Sequence, residues 1–269
     1  MRVRWRLTWL ALTAVAAIAG CSRPEPLTPQ AAAAKGDALL RQMSKTLAAS
    51  QTFSLTADEM REQLLPDGKK RQKTFTRAVV IRRPNSVMFT DKGAEQDGTG
   101  WYDGAHLTLV SHRAKAWARG PMPATLDEAL DFLSNEYAFQ MPAADLLYSS
   151  PYEALVTEDT KGGWVDVQPI GGKPCDHLSY THAVVDWELW VSQDERKLPC
   201  QIQLTYKGAQ GKPSSRVTFR DWNLAPEITA KTFTPDVPAN YQRIRILRHA
   251  TVEDTSATVR PAPAPAKAK

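Results

Sequence analysis

Two changes of hydrophobic period divide the sequence, and they constrain its fold more than any other feature. Apolar and polar residues alternate in strand-like segments from Phe53 to Trp117, and helical spacing then takes over at 125–133 and 142–148. Alternation returns in a second set of segments at 155–168, 176–183, 185–192, 200–207 and 214–223. A helical insert between two runs of strands predicts two short helices that cover one face of a sheet.

The strand runs predict the fold class. About ten strands follow one another with turn signals such as Pro66-Asp67-Gly68, which favours an antiparallel meander. A further helix is predicted over 31–49, where alanine is frequent and Leu39, Met43 and Leu47 recur at helical spacing. We therefore expect a mainly β protein with helices (α+β), built on a long antiparallel sheet that is strongly curved or partly closed.

The N-terminus has the pattern of an export signal. Three arginines precede Leu7–Ala19, an uncharged and mostly apolar run that is shorter than the roughly 20 residues of a membrane span. The run ends in Ile18-Ala19-Gly20-Cys21, which resembles the bacterial lipobox. That resemblance implies cleavage after residue 20 and acylation of Cys21, although an ordinary signal cleaved nearby, with an incidental cysteine, is the alternative.

The lipobox also implies a location. In bacterial lipoproteins a serine after the acylated cysteine, here Ser22, implies sorting to the outer membrane, so we expect a chain anchored at its periplasmic face. Several acyl chains on Cys21 would hold it firmly, because one chain alone binds a membrane only weakly. The membrane is thus one predicted partner.

The remaining boundaries follow from composition. We expect a signal peptide at 1–20, the lipidated cysteine and a proline-rich tether at 21–30, one folded domain at 31–249 and a disordered Pro/Ala/Lys tail at 250–269. Loss of residues 1–20 removes three arginines and no acids, which lowers the net charge from +5 to +2. No basic patch is interleaved with aromatic residues, so we predict no nucleic-acid partner.

Motifs for catalysis are missing from the sequence. It contains no G-x-S-x-G, H-E-x-x-H or C-x-x-C, and we predict no catalytic residue, no cofactor and no metal. Cys175 and His177 would share one face of a strand, with His182 near the following turn, but zinc needs three or four ligands. We favour a solvated strand face with one buried, hydrogen-bonded histidine. A metal-dependent enzyme at Cys175/His177 is the least favoured alternative.

The sequence leaves open whether Cys175 and Cys200 form a disulfide. An exported chain permits the bond, yet a regular meander would place the two residues two strands apart, roughly 9–10 Å, against a limit of about 7 Å between Cα atoms. The alternation of side-chain direction is a second objection. Cys200 lies on the same face as Ile202, whereas Cys175 lies on the face opposite to that of Leu178. Fraying or a bulge at the strand ends would lift both objections.

Several segments carry a family resemblance in their order and spacing. They include Ile81-Arg82-Arg83-Pro84, Trp101-Tyr102-Asp103-Gly104, Cys175-Asp176-His177-Leu178, Asp186-Trp187-Glu188-Leu189-Trp190 and Phe219-Arg220-Asp221-Trp222. Over about residues 35–240 the chain resembles an uncharacterised family of predicted periplasmic proteins and lipoproteins, related in fold to the bacterial lipoprotein carrier and receptor (LolA/LolB-like) proteins. The resemblance implies an open half-barrel with a helical lid and an apolar cavity that accepts acyl chains.

This cavity is the candidate site. Its predicted lining is apolar and comes from the helices and the second strand run: Met43, Leu130, Leu133, Leu146, Leu178, Tyr180, Trp187, Leu189, Ile202, Leu204 and Phe219. An ordinary filled core would have the same composition, so both interpretations stay open. We expect a lipid-anchored, non-catalytic envelope protein that binds an acyl chain, a lipid or a lipoprotein. The alternative is a structural or protein-interaction module that uses a sheet edge or the tail, with an unknown protein partner.

Overall fold

A computed structural model of the chain describes residues 26–137 and 141–246. The predicted signal peptide, Cys21 and the predicted tail at 250–269 lie outside the described residues. The helical elements are the α-helices α1 (Pro29–Ala49), α2 (Leu126–Tyr137) and α3 (Pro151–Leu155), and a 3₁₀ turn (Ala144–Leu147). No helix in the described ranges is both long and apolar enough to cross a membrane.

The strands form a single sheet. Their bounds are β1 (Thr52–Leu64), β2 (Lys70–Arg82), β3 (Ser86–Lys92), β4 (Asp97–Tyr102), β5 (His106–Ser111), β6 (Ala116–Pro121), β7 (Lys161–Ile170), β8 (Lys173–Thr181), β9 (Val185–Ser192), β10 (Pro199–Tyr206), β11 (Ser214–Asn223) and β12 (Gln242–Arg243).

The sheet consists of two antiparallel meanders and a short edge strand, β12, which pairs in parallel with β6 and so departs from the predicted antiparallel sheet. Its order is β12-β6-β5-β4-β3-β2-β1-β11-β10-β9-β8-β7, so the antiparallel pairing of β1 with β11 joins the first run of strands to the second. A single continuous meander was expected, and that detail is wrong. The helical insert carries the chain from β6, near one edge of the sheet, to β7 at the other. The sheet does not close, which confirms the predicted open half-barrel with helices.

One face of the sheet, called here the inner face, carries the core. Phe53 lies opposite Ile81, and Leu55 lies opposite Val79, so the odd-numbered side chains of β1 and β2 point inward together. In the second meander Leu178 pairs with Leu189, and Tyr180 pairs with Trp187. This parity confirms the predicted inward direction of these four side chains.

Helix α1 covers part of the inner face and touches strand β7 closely. The helix begins at Pro29 rather than at 31, because Thr28 accepts a hydrogen bond from the backbone N–H of Ala31 at 3.2 Å and proline suits the first helical position. A Cβ added to Gly36 would lie 2.8 Å from the Cα of Gly163. Gly36 therefore lets helix and strand approach each other.

The insert differs in part from the prediction. Helix α2 is confirmed together with its capping box, in which Glu128 N–H donates to Thr125 Oγ1 at 3.3 Å and Thr125 N–H donates to Glu128 Oε2 at 3.3 Å. The second predicted helix, 142–148, is only the 3₁₀ turn, and a strand predicted from 155 begins at Lys161. Pro151 starts α3 in that interval, since proline favours a first helical turn.

Candidate ligand-binding cleft

Helix α2 and the first meander enclose a small apolar cavity, called here the inner pocket. Its volume is about 60 Å³. The helix contributes a stripe at i, i+3, i+4 and i+7, which is the spacing of one helical face. The lining residues are Arg77, Val79, Val87, Phe89, Tyr102, Leu107, Met122, Leu126, Ala129, Leu130, Leu133, Met141 and Leu147.

A larger and more open space, called here the outer cleft, adjoins the inner pocket. It measures about 480 Å³ and lies between the insert and the strands β9 and β10. Leu130, Leu133 and Met141 line both spaces, so they form one boundary between them. The other lining residues of the outer cleft are Ser134, Ala144, Asp145, Tyr148, Val184, Val185, Leu204, Tyr206, Gly208 and Ala209.

A buried ion cluster forms the polar end of the inner pocket. The Arg77 guanidinium donates to both oxygens of Asp91, at 2.6 and 2.8 Å, and lies 3.3 Å from a carboxylate oxygen of Glu59. Burial alone would lower the pKa of Arg77, but the hydrogen bonds to Asp91 and the charge of Glu59 outweigh it and raise that pKa. The positive charge of Arg77 is thus neutralised within the protein by the carboxylates of Asp91 and Glu59.

The outer cleft contains tyrosine hydroxyls and a carboxyl group instead of an ion cluster. The Tyr148 hydroxyl donates to Asp131 at 2.7 Å, and burial together with this bond raises the pKa of Tyr148. Burial also raises the pKa of Tyr206 on the sheet and of the Asp145 carboxyl in the 3₁₀ turn. The outer cleft therefore combines an apolar floor with two phenols and one carboxyl group.

A half-buried arginine, Arg83, contacts the insert over the sheet. The Arg83 guanidinium donates to the carbonyls of Leu147 and Tyr148 at 2.9 and 3.0 Å, and it lies over the Phe53 ring at 5.7 Å. On the other side, the backbone N–H of Ser149 donates to Asp127 at 2.9 Å. These contacts tie the end of the 3₁₀ turn to the residue that follows β2 and to α2.

The predicted cavity residues separate into two groups. Leu130, Leu133 and Leu204 line the cleft. The others belong to the filled core: Met43, Leu146, Leu178, Leu189 and Ile202 are at most 2% exposed, Tyr180 and Trp187 stack at 4.2 Å, and Phe219 packs 5.9 Å from Trp222. Helix α1 and its neighbours pack against these core residues, whereas the outer cleft lies between the insert and the ends of β9 and β10 near Val185 and Tyr206.

Sequence reasoning missed the contribution of the first meander. Val79, Val87, Phe89 and Leu107 line the inner pocket, and the same two-residue alternation that marks the later strands was present in these. The parity of β1 also placed Glu59 on the inner face among Phe53, Leu55 and Ala57, which is an unusual position for a carboxylate. That departure from the apolar pattern was a usable signal for the ion cluster.

The structure contains the Cys175–Cys200 disulfide, with a Cα–Cα distance of 6.8 Å. The expected separation of roughly 9–10 Å was wrong because the register of β9 and β10 shifts between Pro199 and Gln201. Cys200 is the extra residue of this bulge, which changes the direction of its side chain. Cys175 therefore offers no thiolate ligand.

His177 is buried on the face opposite the core, as predicted for one histidine, but the predicted solvated face is wrong here, because Cys175 and Trp190 on the same face are buried too. Its ring stacks on Trp190 at 4.5 Å between centroids, and its Nδ1 lies 3.1 Å from Asp166. Within 26–137 and 141–246, no group of three His, Cys, Asp or Glu residues could hold a metal ion. The contacts of His177 are those of a packed, hydrogen-bonded side chain.

Several solved bacterial structures are similar to this chain. The Mycobacterium tuberculosis lipoprotein LppX has a TM-score of 0.46 at 13% identity over 72% of this chain and 97% of its own. LprF from Mycobacterium bovis gives 0.44 at 8% identity over 81% and 100%, and a LolA superfamily protein from Nitrosomonas europaea gives 0.38 at 13% over 75% and 98%. No curated protein matches the sequence significantly.

The family is shown by the sequence of the folded region itself. Residues 36–247 match the family described as predicted periplasmic proteins, DUF2092. This range includes the whole sheet, α2 and the insert, and it confirms the resemblance drawn from the sequence segments. The chain belongs to the DUF2092 family of predicted periplasmic proteins.

Proposed function

We propose that this protein is a non-catalytic, lipid-anchored envelope protein that binds a hydrophobic ligand in the cleft under α2. The ligand would be an acyl chain, a lipid or the acylated end of a lipoprotein. The single observation that carries the proposal is the outer cleft of about 480 Å³, which adjoins the apolar inner pocket. Its size falls in the range of small-molecule sites, roughly 300–1,000 Å³, and its floor is apolar.

The proposed lipid anchor favours a protein that stays at one membrane. Cys21 lies outside the described residues, and its acylation rests on the lipobox pattern. A carrier has to leave its membrane, whereas a protein held by several acyl chains stays there. We therefore propose a tethered receptor or sensor at the periplasmic face of the outer membrane rather than a shuttle.

Binding of fluorescent single-chain lipids tests the proposal, with an uncharged fatty alcohol titrated beside a fatty acid. The mature chain should carry Cys21→Ser, so that no anchor chain competes for the cleft, and should be delipidated before titration. Leu133→Trp places a larger side chain at the boundary between the two spaces, and we expect it to weaken binding at least about tenfold. Val165→Trp is the matched control, because Val165 is 48% exposed on β7, outside the lining of the cleft.

Two results would count against a ligand cleft. One is a delipidated protein that takes up neither the fluorescent fatty acid nor the fluorescent fatty alcohol and shows no bound lipid by native mass spectrometry when freshly purified. The other is a folded Leu133→Trp variant that binds as well as the Val165→Trp control.

A second candidate is a protein-interaction module at the free edge of β7. Val165 and Val167 are 48% and 45% exposed on this edge strand, and an unpaired strand can accept another strand. A photo-crosslinking residue at Val167 should then capture a protein in cells, while one at the exposed loop residue Thr157 should not. Equal labelling from both positions would remove this candidate.

A further inference from the structure

The outer cleft contains a carboxyl group that its own surroundings do not neutralise. Asp145 lies in the 3₁₀ turn and lines the cleft beside Ala144, Met141 and Tyr148. Among the described residues, its carboxylate forms no ion pair and no hydrogen bond with another side chain. Burial raises its pKa, and a hydrogen bond from its own backbone N–H offsets this only in part. A carboxylate in an apolar wall is costly unless a cation or a donor meets it.

The cationic side chains around the cleft are already engaged. Arg77, in the inner pocket, is held between Asp91 and Glu59. Arg61 donates to Glu59 at 2.7 Å. The lining of the outer cleft contains no lysine or arginine among the described residues. Asp145 is therefore the one formally charged side chain in the described lining of the outer cleft, and it would repel an anionic group.

The neighbouring aromatic residues favour the same kind of occupant. Tyr148 and Tyr206 line the cleft with Asp145, and the charge of Asp145 helps to raise the pKa of both phenols. The Tyr148 hydroxyl is committed to Asp131, so it does not serve as the donor for Asp145. Aromatic faces and a carboxylate together are the groups that proteins use to hold an ammonium ion.

We propose that the cleft selects an amphiphile whose polar end is an ammonium group, with Asp145 as its counter-ion and the hydrocarbon chain against Leu130, Leu133 and Leu204. This inference rests on the proposed function of the cleft, and it adds the class of ligand. An amine end gains an ion pair together with its hydrogen bond, an alcohol gains the hydrogen bond alone, and a carboxylate or phosphate is repelled.

Three ligands with the same chain separate these cases: dodecylamine, dodecanol and dodecanoate. Each is titrated into the full mature chain with Cys21→Ser by calorimetry, below its aggregation concentration and at low salt. We expect dodecylamine to bind at least about tenfold more tightly than dodecanoate, with dodecanol between them. In Asp145→Asn, the affinity for dodecylamine should fall about tenfold while that for dodecanol changes by less than about twofold.

Control variants separate recognition from folding. Asp145→Glu keeps the charge and should keep the preference for the amine, and Asp159→Asn removes an exposed carboxylate from the loop before β7 and should change nothing. If dodecanol binds but the amine has no advantage, or if Asp145→Asn weakens all three ligands equally, the inference is overturned while the cleft remains a binding site. If none of the three binds, the proposed function fails and the inference fails with it.

Discussion

Removal of the Cys175–Cys200 disulfide should cost a predictable amount of stability. The bond joins residues separated by 25 positions. Closing a loop of that length lowers the conformational entropy of the unfolded chain by about 12 cal/mol/K, which corresponds to about 3.5 kcal/mol of stability at room temperature. Cys175 is fully buried, so Cys175→Ala adds a small packing loss in the same direction. The double variant with Cys200→Ala should therefore lose about 3.5 kcal/mol or slightly more.

Urea unfolding of the mature chain with Cys21→Ser measures this loss. With a slope of roughly 2–3 kcal/mol/M, the midpoint of the double variant should lie roughly 1–2 M urea below that of the oxidised protein. Reductant should shift the oxidised protein towards the variant and leave the variant unchanged. A loss below about 1 kcal/mol, or free thiols in the denatured, unreduced protein, would refute the reasoning.

Three further predictions concern buried groups. Arg77→Ala leaves Asp91 buried without a cation and Glu59 with Arg61 alone, and it should cost roughly 3–5 kcal/mol in urea unfolding, whereas a loss below about 1 kcal/mol would contradict a buried cluster. Burial raises the pKa of Tyr102 to about 12, above the unfolded value of about 10. Its contribution to stability is therefore present below pH 10 and lost as the pH rises through 12, and Tyr102→Phe should flatten the fall of the melting temperature in that window. Gly36→Ala should lower the melting temperature, because contact with the β7 backbone costs roughly 1–3 kcal/mol against a gain in helix propensity of about 1 kcal/mol, and a rise would refute the close approach.

The elements of the fold were largely predictable because their signals are local. The bounds of β9 and β11 agree with the predicted segments, and the capping box of α2 was visible in Thr125 and Glu128. Alternation alone placed Leu178 and Trp187 on the inner face, since side-chain direction repeats every two residues. The α3 helix was missed, because five residues are too few for a helical period to stand out.

The candidate site was only partly predictable. Leu130, Leu133 and Leu204 do line the cleft, but most of the predicted lining belongs to the filled core. An apolar side chain has the same composition whether it touches a neighbour or an empty space. Only the packing of the helices on the sheet decides which inner-face side chains are covered and which line the cleft, and that packing depends on contacts between distant residues such as Gly36 and Gly163.

The sequence by itself determined the fold class, the direction of the strand side chains and the family, because each depends on the order and period of residues along the chain. The tertiary structure decided three other things. The bulge at Cys200 brings it within bonding distance of Cys175. Strand register brings Arg77 opposite Asp91. The contacts of Arg83 hold the insert above the cleft. Each of these depends on which strands and helices become neighbours, and that is fixed only when the whole sheet and its insert pack together.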